Sequence, residues 1–338
     1  MRYIDAFCHI FPANFFEIML NALGNSSPLA VRMKGTRPIY DLDARFRVMD
    51  QFGDYSQVLS LGLPGIEAMA PPNKSPEFAR IANDGLAELV EKHPERFVGY
   101  VGGLPMNAPD AAAREAERIL LKGSACGLQL HTTVDGLCLD DPRFLPVFEV
   151  AAASGKPILL HPSRPARFPD FPAEESSQYE IWTIFGWPYE TSVTMARLIF
   201  SGVLQRFPNL NMMVHHYGAM IPFFESRIEL GWSSLGTRGG PGDYSDVLQK
   251  LGKPLVECFR SFYADTALSG GRAGTRCGLE FFGVDRSLFA SDAPFGPEDG
   301  AAFIRSTIEA VDSLEITQDE KNKIFHSNAI SFFGLKRH

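Results

Sequence analysis

The stretch Pro157-Ile158-Leu159-Leu160-His161 is a short apolar run that stops at a histidine. Five other apolar runs stop in the same way, at a histidine or an aspartate, and they cover residues 4–9, 127–131, 211–216, 261–265 and 287–292. Short apolar runs between helical stretches are typical of parallel strands. A polar residue at the end of each strand is typical of barrel enzymes, because it places reactive groups around one mouth of the barrel.

The order of the runs predicts the fold. Strand candidates lie near residues 3–8, 57–62, 97–102, 127–131, 157–161, 210–215, 260–264 and 287–291. Helical segments follow most of them, and residues 76–93 place apolar side chains at spacings of three and four. This alternation predicts an α/β fold, a (β/α)8 TIM barrel that forms a single domain over residues 1–338. An open doubly wound sheet is the alternative, and the absence of a glycine-rich phosphate loop after strand one weakens it.

Two long connections interrupt the alternation. Residues 10–56 form an insertion after strand one with a helix near residues 41–51, and residues 163–190 follow strand five. Connections of this length inside a compact domain are usually functional or disordered. The second connection carries four aromatic residues that predict an ordered flap over the barrel mouth, namely Tyr179, Trp182, Phe185 and Trp187.

Composition and charge exclude some classes of function. The chain has 32 basic and 40 acidic residues, and its net charge of −8 argues against nonspecific nucleic-acid binding. No apolar run is long enough to span a membrane, and Asp5 falls where a secretion signal needs apolar residues. The five cysteines are scattered without a Cys-x-x-Cys spacing. These features predict a cytoplasmic protein with reduced thiols.

The strand-end residues predict a metal site when they are taken together. His9, His161, Asp292 and one of the pair His215 and His216 come from four strands and lie at the same end of the predicted barrel. Two histidines and a carboxylate are enough to hold a catalytic divalent metal with an open position. The remaining histidine is then free for acid–base chemistry near neutral pH. Only one of the adjacent histidines can face the barrel axis, and the residues alone leave that choice open.

Strand one supplies one candidate ligand rather than two. Residues two apart in a strand point the same way, so Phe7 and His9 face the interior and Cys8 faces outward. Of the remaining strand-end residues, His131 is predicted to have a structural or substrate-lining role, and Asp265 to support neighbouring loops.

These residues belong to an ordered series of motifs that covers nearly the whole chain. The series includes His9-Ile10-Phe11-Pro12, His161-Pro162 and Ser291-Asp292, and it continues in residues 45–51, 94–99, 104–106, 186–191 and 261–263. In these motifs the sequence resembles the amidohydrolase superfamily, specifically the branch that contains aminocarboxymuconate-semialdehyde decarboxylase. The resemblance implies a barrel enzyme, commonly a homodimer, that holds a divalent metal and acts on a small-molecule carboxylate. The metal of the family is usually zinc, with manganese as the alternative.

The resemblance also implies roles for individual residues. His9, His161 and Asp292 match the metal ligands of the family, and Phe7 stands where relatives have a further ligand, His or Glu. His216 lies six residues before Pro222, which is the spacing of the family's proton-transfer histidine.

Substrate contacts follow from the same comparison. Arg227 resembles an arginine that binds the substrate carboxylate across a dimer interface, and Arg37 resembles a second carboxylate-binding arginine. An exposed salt bridge is the alternative for both. Trp182 in the flap indicates contact with a planar apolar part of the substrate, and packing within the flap is the alternative.

The resemblance therefore predicts a lyase, a metal-dependent non-oxidative decarboxylase of a carboxylated aromatic or an unsaturated semialdehyde-like acid. His216 or Asp292 would deliver the proton to the carbon that loses carbon dioxide. The closest alternative is a hydrolase that uses the same metal to activate water for attack at a C–N, C–O or C–C bond. Phe7 motivates a third hypothesis, in which the barrel has a weakened or absent metal site. Such a barrel would be a binding protein or a metal-independent enzyme. In that case Phe7 would contact the substrate.

Overall fold

Parallel strands form the frame of the protein. The structure is a computed structural model that describes residues 1–239, 242–244 and 246–336. Within these ranges the strands are β1 (Arg2–His9), β2 (Asp54–Ser60), β3 (Phe97–Gly103), β4 (Gly127–His131), β5 (Thr133–Val134), β6 (Leu137–Cys138), β7 (Ile158–His161), β8 (Met212–Val214), β9 (Tyr263–Asp265) and β10 (Ser287–Leu288). The main sheet has eight strands in the order β1-β2-β3-β4-β7-β8-β9-β10, and its neighbours pair in parallel. The strand order confirms the predicted barrel, and β5 and β6 form a separate antiparallel pair.

A seam between β1 and the segment around β10 closes the sheet. The backbone N–H of Ala6 donates to the carbonyl of Phe289 at 2.9 Å. Beside it, the Asp5 carboxylate accepts a hydrogen bond of 3.1 Å from the backbone N–H of Ser291, although the two residues are 286 positions apart in the sequence. The first and last strands of the sheet are thereby joined, and their carboxyl ends open at the same mouth.

Helices cover the outside of the barrel. They are α1 (Ala13–Leu23), α2 (Pro28–Gly35), α3 (Leu42–Met49), α4 (Ile66–Met69), α5 (Ser75–Lys92), α6 (Pro109–Leu121), α7 (Leu145–Ser154), α8 (Ile181–Ile184), α9 (Gly186–Phe200), α10 (Val203–Arg206), α11 (Glu225–Trp232), α12 (Val247–Lys250), α13 (Leu255–Arg260), α14 (Arg272–Phe282), α15 (Ala301–Asp312), α16 (Gln318–Asn322) and α17 (Asn328–Phe333). In α5 the buried residues Ala79, Ala82 and Leu86 recur at the helical spacing that the sequence predicted. Of the helices in the described ranges, none has the length and hydropathy that a membrane span requires.

Alternation along the strands separates two apolar layers. Leu159 and Met213 belong to the layer that fills the barrel interior. Their neighbours Leu160 and Val214 belong to the larger layer between the strands and the helices. Since successive side chains point to opposite faces of a sheet, this alternation decides which strand-end residues enter the mouth.

The insertion at residues 10–56 is tied to the end of β1 by one buried arginine. It contains α1, α2 and α3, and α3 is the helix predicted near residues 41–51. Arg45 on α3 donates to the carbonyls of His9 (2.8 Å) and Pro38 (3.0 Å) and to the side chain of Gln57 (2.7 Å). The insertion is therefore held against the strand that carries His9.

Of the four aromatic residues predicted to form the flap at residues 163–190, two pack together and two are exposed. The rings of Trp182 and Trp187 meet edge to face with their centroids 5.6 Å apart. The Trp187 indole N–H donates to the carbonyl of Arg164 at 3.1 Å, which fixes the start of the flap. Tyr179 and Phe185 are largely exposed, so two of the four predicted aromatics form the wall of the mouth.

Candidate metal centre

Four side chains from four strand ends converge at the barrel mouth. They are His9 on β1, His161 on β7, His215 just after β8 and Asp292 after β10, and their ligand atoms all lie within 4.8 Å of one another. The three histidines are buried, whereas 24% of the Asp292 side chain is exposed. Three nitrogens and one oxygen of this kind are a donor set that zinc or manganese accepts.

Strand alternation explains why these four residues meet. Each donor lies two positions after a residue of the inner apolar layer, and these pairs are Phe7 and His9, Leu159 and His161, Met213 and His215, and Ala290 and Asp292. Residues two apart share one face of a strand, so each donor points into the barrel above its apolar partner.

The histidine rings are held in one common orientation. Each Nδ1 has an acceptor, which is the Leu61 carbonyl for His9 (2.9 Å), the Pro162 carbonyl for His161 (2.7 Å) and the Asp265 carboxylate for His215 (2.6 Å). Carbonyl and carboxylate oxygens accept here, so Nδ1 of each ring carries a proton and Nε2 is the nitrogen that faces the other donors. Such an outer hydrogen bond is typical of histidines that bind a metal through the other nitrogen.

The free Nε2 atoms point toward Asp292. Its Oδ1 lies 3.1 Å from His9 Nε2 and 3.6 Å from His215 Nε2. Both Nε2 atoms are buried and have no hydrogen-bond partner of standard geometry among the described residues. A buried polar atom without such a partner is costly. A cation bound at this point would satisfy both nitrogens, so the donor group fits a divalent metal.

Burial and neighbouring charges determine the protonation of the group. Burial lowers the pKa of His161 well below its usual value, and the neighbouring His9 adds to the effect. Burial acts in the same direction on His215, but the carboxylates of Asp265 and Asp292 outweigh it and raise its pKa to about 10. Burial raises the pKa of Asp292, but the close ion-pair contacts with His215 and His9 outweigh it and hold that pKa well below its usual range. Asp292 is therefore anionic at the centre of the group.

Phe7 lies among the histidines and away from the cavity. Its ring centroid is 4.8 Å from that of His215, 5.2 Å from that of His9 and 5.7 Å from that of His161. The side chain has no exposed surface. Phe7 is not among the residues that line the cavity described below, and its predicted contact with substrate stays a prediction.

The adjacent histidines have different environments. His215 continues the extended conformation of β8, whereas His216 has a left-handed φ of 57° and turns the chain out of the strand. The His216 ring packs on His215 with centroids 3.9 Å apart, and its Nδ1 is buried without a partner among the described residues. Burial, with the nearby His215, lowers the pKa of His216 to about 3. The structure thus brings His215 into the donor group, and proton transfer by His216 stays a prediction.

A cavity of about 430 Å³ opens beside the donor group. Its lining includes charged and aromatic residues from the insertion, the segment after β2, β4, β7, the flap and the segment after β10, namely Arg32, Glu67, His131, His161, Arg164, Arg167, Phe168, Trp182, Trp187, Asp292 and Phe295. Trp182 was the flap residue predicted to meet substrate, and it lies in this wall. His131 also lines the cavity, and its Nδ1 pairs with the Glu67 carboxylate at 3.0 Å.

The arginines predicted from the sequence lie elsewhere. Arg37 is on the surface, where its Nη2 pairs with the Asp41 carboxylate at 2.7 Å, and its predicted contact with substrate stays a prediction. Its position four residues before Asp41 on one turn of chain explains the pairing. Arg227 is exposed on α11 and lines a different groove, of about 1520 Å³, beside α9. Its predicted role across a dimer interface stays a prediction.

Sequence reasoning missed the charged residues that do line the cavity. Glu67 lies on α4, the short helix after β2, and Arg164 lies three residues after His161, so both stand in connections at the carboxyl ends of strands, where barrel sites form. Their position just after a strand end was the feature of the sequence that could have predicted both residues at the site. Arg32 on α2 carried no such signal, because its approach to the cavity depends on how the insertion folds. Asp265 was expected to support loops, and the structure adds its bond to His215.

Comparison with known proteins identifies the family. The family model described as Amidohydrolase matches residues 4–335, which is nearly the whole chain. The chain belongs to the amidohydrolase family. This match confirms the resemblance seen in the sequence motifs.

Relatives of this amidohydrolase are decarboxylases. The chain is 30% identical over 305 residues to gamma-resorcylate decarboxylase of Polaromonas sp. (strain JS666), with 87% of this chain and 88% of that protein covered. It is 28% identical over 296 residues to 2-amino-3-carboxymuconate-6-semialdehyde decarboxylase of Dictyostelium discoideum, with 88% and 77% covered. A solved dihydroxybenzoic acid decarboxylase from Polaromonas sp. JS666, with bound manganese and the inhibitor 2-nitroresorcinol, has a TM-score of 0.78 at 27% identity and covers 100% of this chain and 98% of that chain. The manganese in this relative and the donor group found here support a divalent metal in this amidohydrolase.

Proposed function

We propose that this protein is a metal-dependent non-oxidative decarboxylase of an aromatic carboxylate. The observation that carries the proposal is the donor group itself, which stands beside a cavity lined by arginines and tryptophans. The relatives named above are decarboxylases, and this agrees with the site. His9, His161 and Asp292 would hold a zinc or manganese ion that polarises the substrate carboxylate or a neighbouring oxygen.

The cavity walls suit a flat, negatively charged substrate. The Trp187 ring lies 5.9 Å from that of His161, so the aromatic wall begins beside the metal donors. Arg164 is largely buried, and its Nη1 lies 3.8 Å from the Glu190 carboxylate, too far for a hydrogen bond. Arg32 lies over the Phe295 ring at 5.2 Å. Arg164 Nη2 donates to the Pro169 carbonyl at 3.1 Å, which orients the guanidinium. We propose that Arg164 and Arg32 bind the substrate carboxylate, because a guanidinium carries several donors and pairs strongly with a carboxylate.

The reaction needs one proton transfer at the ring carbon. The bond between that carbon and the carboxylate breaks, carbon dioxide leaves, and a proton takes its place. Asp292 borders the cavity, and His216 packs behind the donor group, so these two residues are the candidates for proton delivery, once one of them has taken up a proton from the substrate hydroxyl or from solvent. General acid catalysis of this kind is typically worth roughly 10²–10⁴-fold in rate.

Product analysis tests the proposal directly. Purified protein loaded with Mn²⁺ or Zn²⁺ is incubated with gamma-resorcylate, with other hydroxybenzoates and with phenyl esters as hydrolase substrates. We expect carbon dioxide and the decarboxylated phenol in equal amounts, and Asp292→Asn should reduce the rate by roughly 10²-fold or more. Ester hydrolysis without release of carbon dioxide from any hydroxybenzoate would refute the decarboxylase.

We further propose that the enzyme is a cytoplasmic homodimer. Phe223 and Leu230 expose 79% and 71% of their surface close to Arg227, and an apolar patch of this kind is typical of an interface. The cysteines are free thiols, which is consistent with a reducing compartment. Light scattering of the purified protein, compared with Leu230→Glu, tests the dimer. A wild-type protein with the mass of a monomer would contradict it.

A further inference from the structure

We propose that His215 is the fourth metal ligand, in place of the ligand that Phe7 has removed from β1, and that this leaves His216 for proton transfer. The inference rests on the divalent cation of the proposed function and goes beyond it. The family resemblance places the ligands on strands one, five and eight, and it gives the histidine after strand six a different role.

Phe7 occupies the place from which a ligand on β1 would reach the donor group. Its ring meets the rings of His215 and His161 edge to face, at interplanar angles of 76° and 77°. A phenyl ring has no lone pair to offer a cation. Without a substitute, the metal would be held by three residues only, which are His9, His161 and Asp292.

His215 supplies a donor atom at the right distance. Its Nε2 lies 3.6 Å from Asp292 Oδ1 and within 4.8 Å of the donor atoms of His9 and His161. Donor atoms around a tetrahedral zinc ion, with bonds of about 2.0–2.1 Å, are about 3.4 Å apart. Closing the group around one ion therefore needs side-chain shifts of roughly 1 Å. Zinc can expand to five-coordinate, which leaves a position for substrate.

The orientation of His215 matches that of the other two histidines. Asp265 accepts its Nδ1–H at 2.6 Å, so Nε2 is the nitrogen that faces the donor group, where a bound cation would take the place of its proton. Asp265 is itself fixed, because its other oxygen accepts backbone N–H bonds from His216 (3.0 Å) and Ala267 (3.2 Å). His215 is thereby held as firmly as His9 and His161, whose acceptors are backbone carbonyls.

His216 does not share this arrangement. Its left-handed backbone turns it away from the strand direction, and its Nδ1 has no acceptor in the described part of the chain. It lies beside His215 rather than in the donor group. In this proposal His215 binds the metal, and its neighbour His216 transfers the proton.

The test compares metal binding by full-length variants loaded with Mn²⁺ or Zn²⁺. In His215→Asn the amide nitrogen takes the place of Nδ1 and keeps the bond to Asp265, whereas nothing remains at Nε2. We expect metal affinity, measured by competition with a chromophoric chelator, to fall by at least about 100-fold, since loss of a partner outside the ligands alone costs 10–100-fold. The matched control His216→Asn should bind metal as the wild type does and lose decarboxylation.

Two further measurements keep the inference open to refutation if His215→Asn folds poorly. Phe7→His in the His215→Asn background should restore metal binding, because the imidazole returns a donor to β1. Electron spin echo spectroscopy of the Mn²⁺-loaded wild type should detect three directly bound nitrogens. Two bound nitrogens, or unchanged affinity in His215→Asn, would overturn the inference.

The outcomes separate this inference from the proposed function. A wild-type protein that binds metal through three nitrogens but releases no carbon dioxide would refute the decarboxylase and leave the role of His215 intact. A wild-type protein that decarboxylates and binds metal through two nitrogens would refute the role of His215 and leave the decarboxylase intact. A protein that binds neither metal ion would overturn both.

Discussion

Asp265→Asn should change the tautomer of His215 while leaving the fold in place. In the wild type, Asp265 Oδ1 accepts the backbone N–H groups of His216 and Ala267, and Oδ2 accepts the Nδ1–H of His215. The two backbone donors hold the oxygen of an asparagine at the Oδ1 position, so its amide NH2 must face Nδ1. Nδ1 then has to accept a hydrogen bond, and its proton moves to Nε2.

A protonated Nε2 cannot bind a cation, and the expected loss can be estimated from this geometry. Mutation of the partner that orients a metal-binding histidine typically weakens metal binding by 10–100-fold, which is ~1.4–2.7 kcal/mol. The variant exchanges a charge-assisted hydrogen bond for a neutral one. It should therefore lose only about 1 kcal/mol of unfolding free energy.

The assay is the apparent Kd for Mn²⁺ or Zn²⁺, measured beside the unfolding free energy in urea. Asp285→Asn is the matched control, because Asp285 is 79% exposed and pairs with Lys323 on the surface. We expect the control to bind metal as the wild type does. A wild-type Kd in Asp265→Asn would refute the claim that Asp265 sets the tautomer of a metal ligand.

Three other substitutions test the cavity and the insertion. Arg164→Ala should raise KM for an aromatic carboxylate by about 10–100-fold, since a hydrogen bond to a charged group contributes ~1.5–3 kcal/mol; the exposed Arg143→Ala is the control in steady-state kinetics. Trp182→Ala should raise KM by up to about tenfold, since an aromatic pair contributes ~0.5–1.5 kcal/mol, with the exposed Tyr179→Ala as its control. Arg45→Met should lower the unfolding free energy by about 2–4 kcal/mol, measured by circular dichroism in urea, because three buried acceptors lose their donor.

Each of the three substitutions also has an outcome that would contradict its prediction. Equal KM values in Arg164→Ala and its control would place carboxylate recognition outside the flap. An unchanged KM in Trp182→Ala would reduce that ring to packing within the flap. If Arg45→Met unfolds at the wild-type urea concentration, the insertion is held to β1 by other contacts.

The barrel could be predicted from the sequence because its signal is local and repeated. The run at residues 157–161 contains both the apolar strand and the polar residue at its end, and β7 forms there as Ile158–His161. The same holds for His9 and Asp292, whose runs place them at the mouth. Side chains alternate between the two faces of a strand, so the inner apolar residue and the donor two positions later lie on one face. This alternation is the physical reason why inward-facing donors can be assigned from the sequence.

The parts of the site that sequence reasoning missed depend on long-range placement or on backbone turns. Met213 and strand alternation favour His215 as the inward residue, yet the spacing to Pro222 drew attention to His216. His215 and His216 differ because the backbone at His216 has a left-handed φ, and the residue types alone do not predict that turn. Arg37 forms an exposed salt bridge, which was the alternative given for it, because Asp41 lies within reach on the same turn of chain.

The seam between β1 and the segment around β10 has a consequence for how the protein is made. It joins Asp5 to Ser291, residues separated by 286 positions, and the neighbouring donors are His9 at the end of β1 and Asp292 in the segment after β10. During synthesis on the ribosome, His9 emerges long before Asp292 exists. We therefore expect metal to be captured only near the end of translation or after release, once the last strand has closed the ring, so the order of synthesis protects the nascent chain from premature loading.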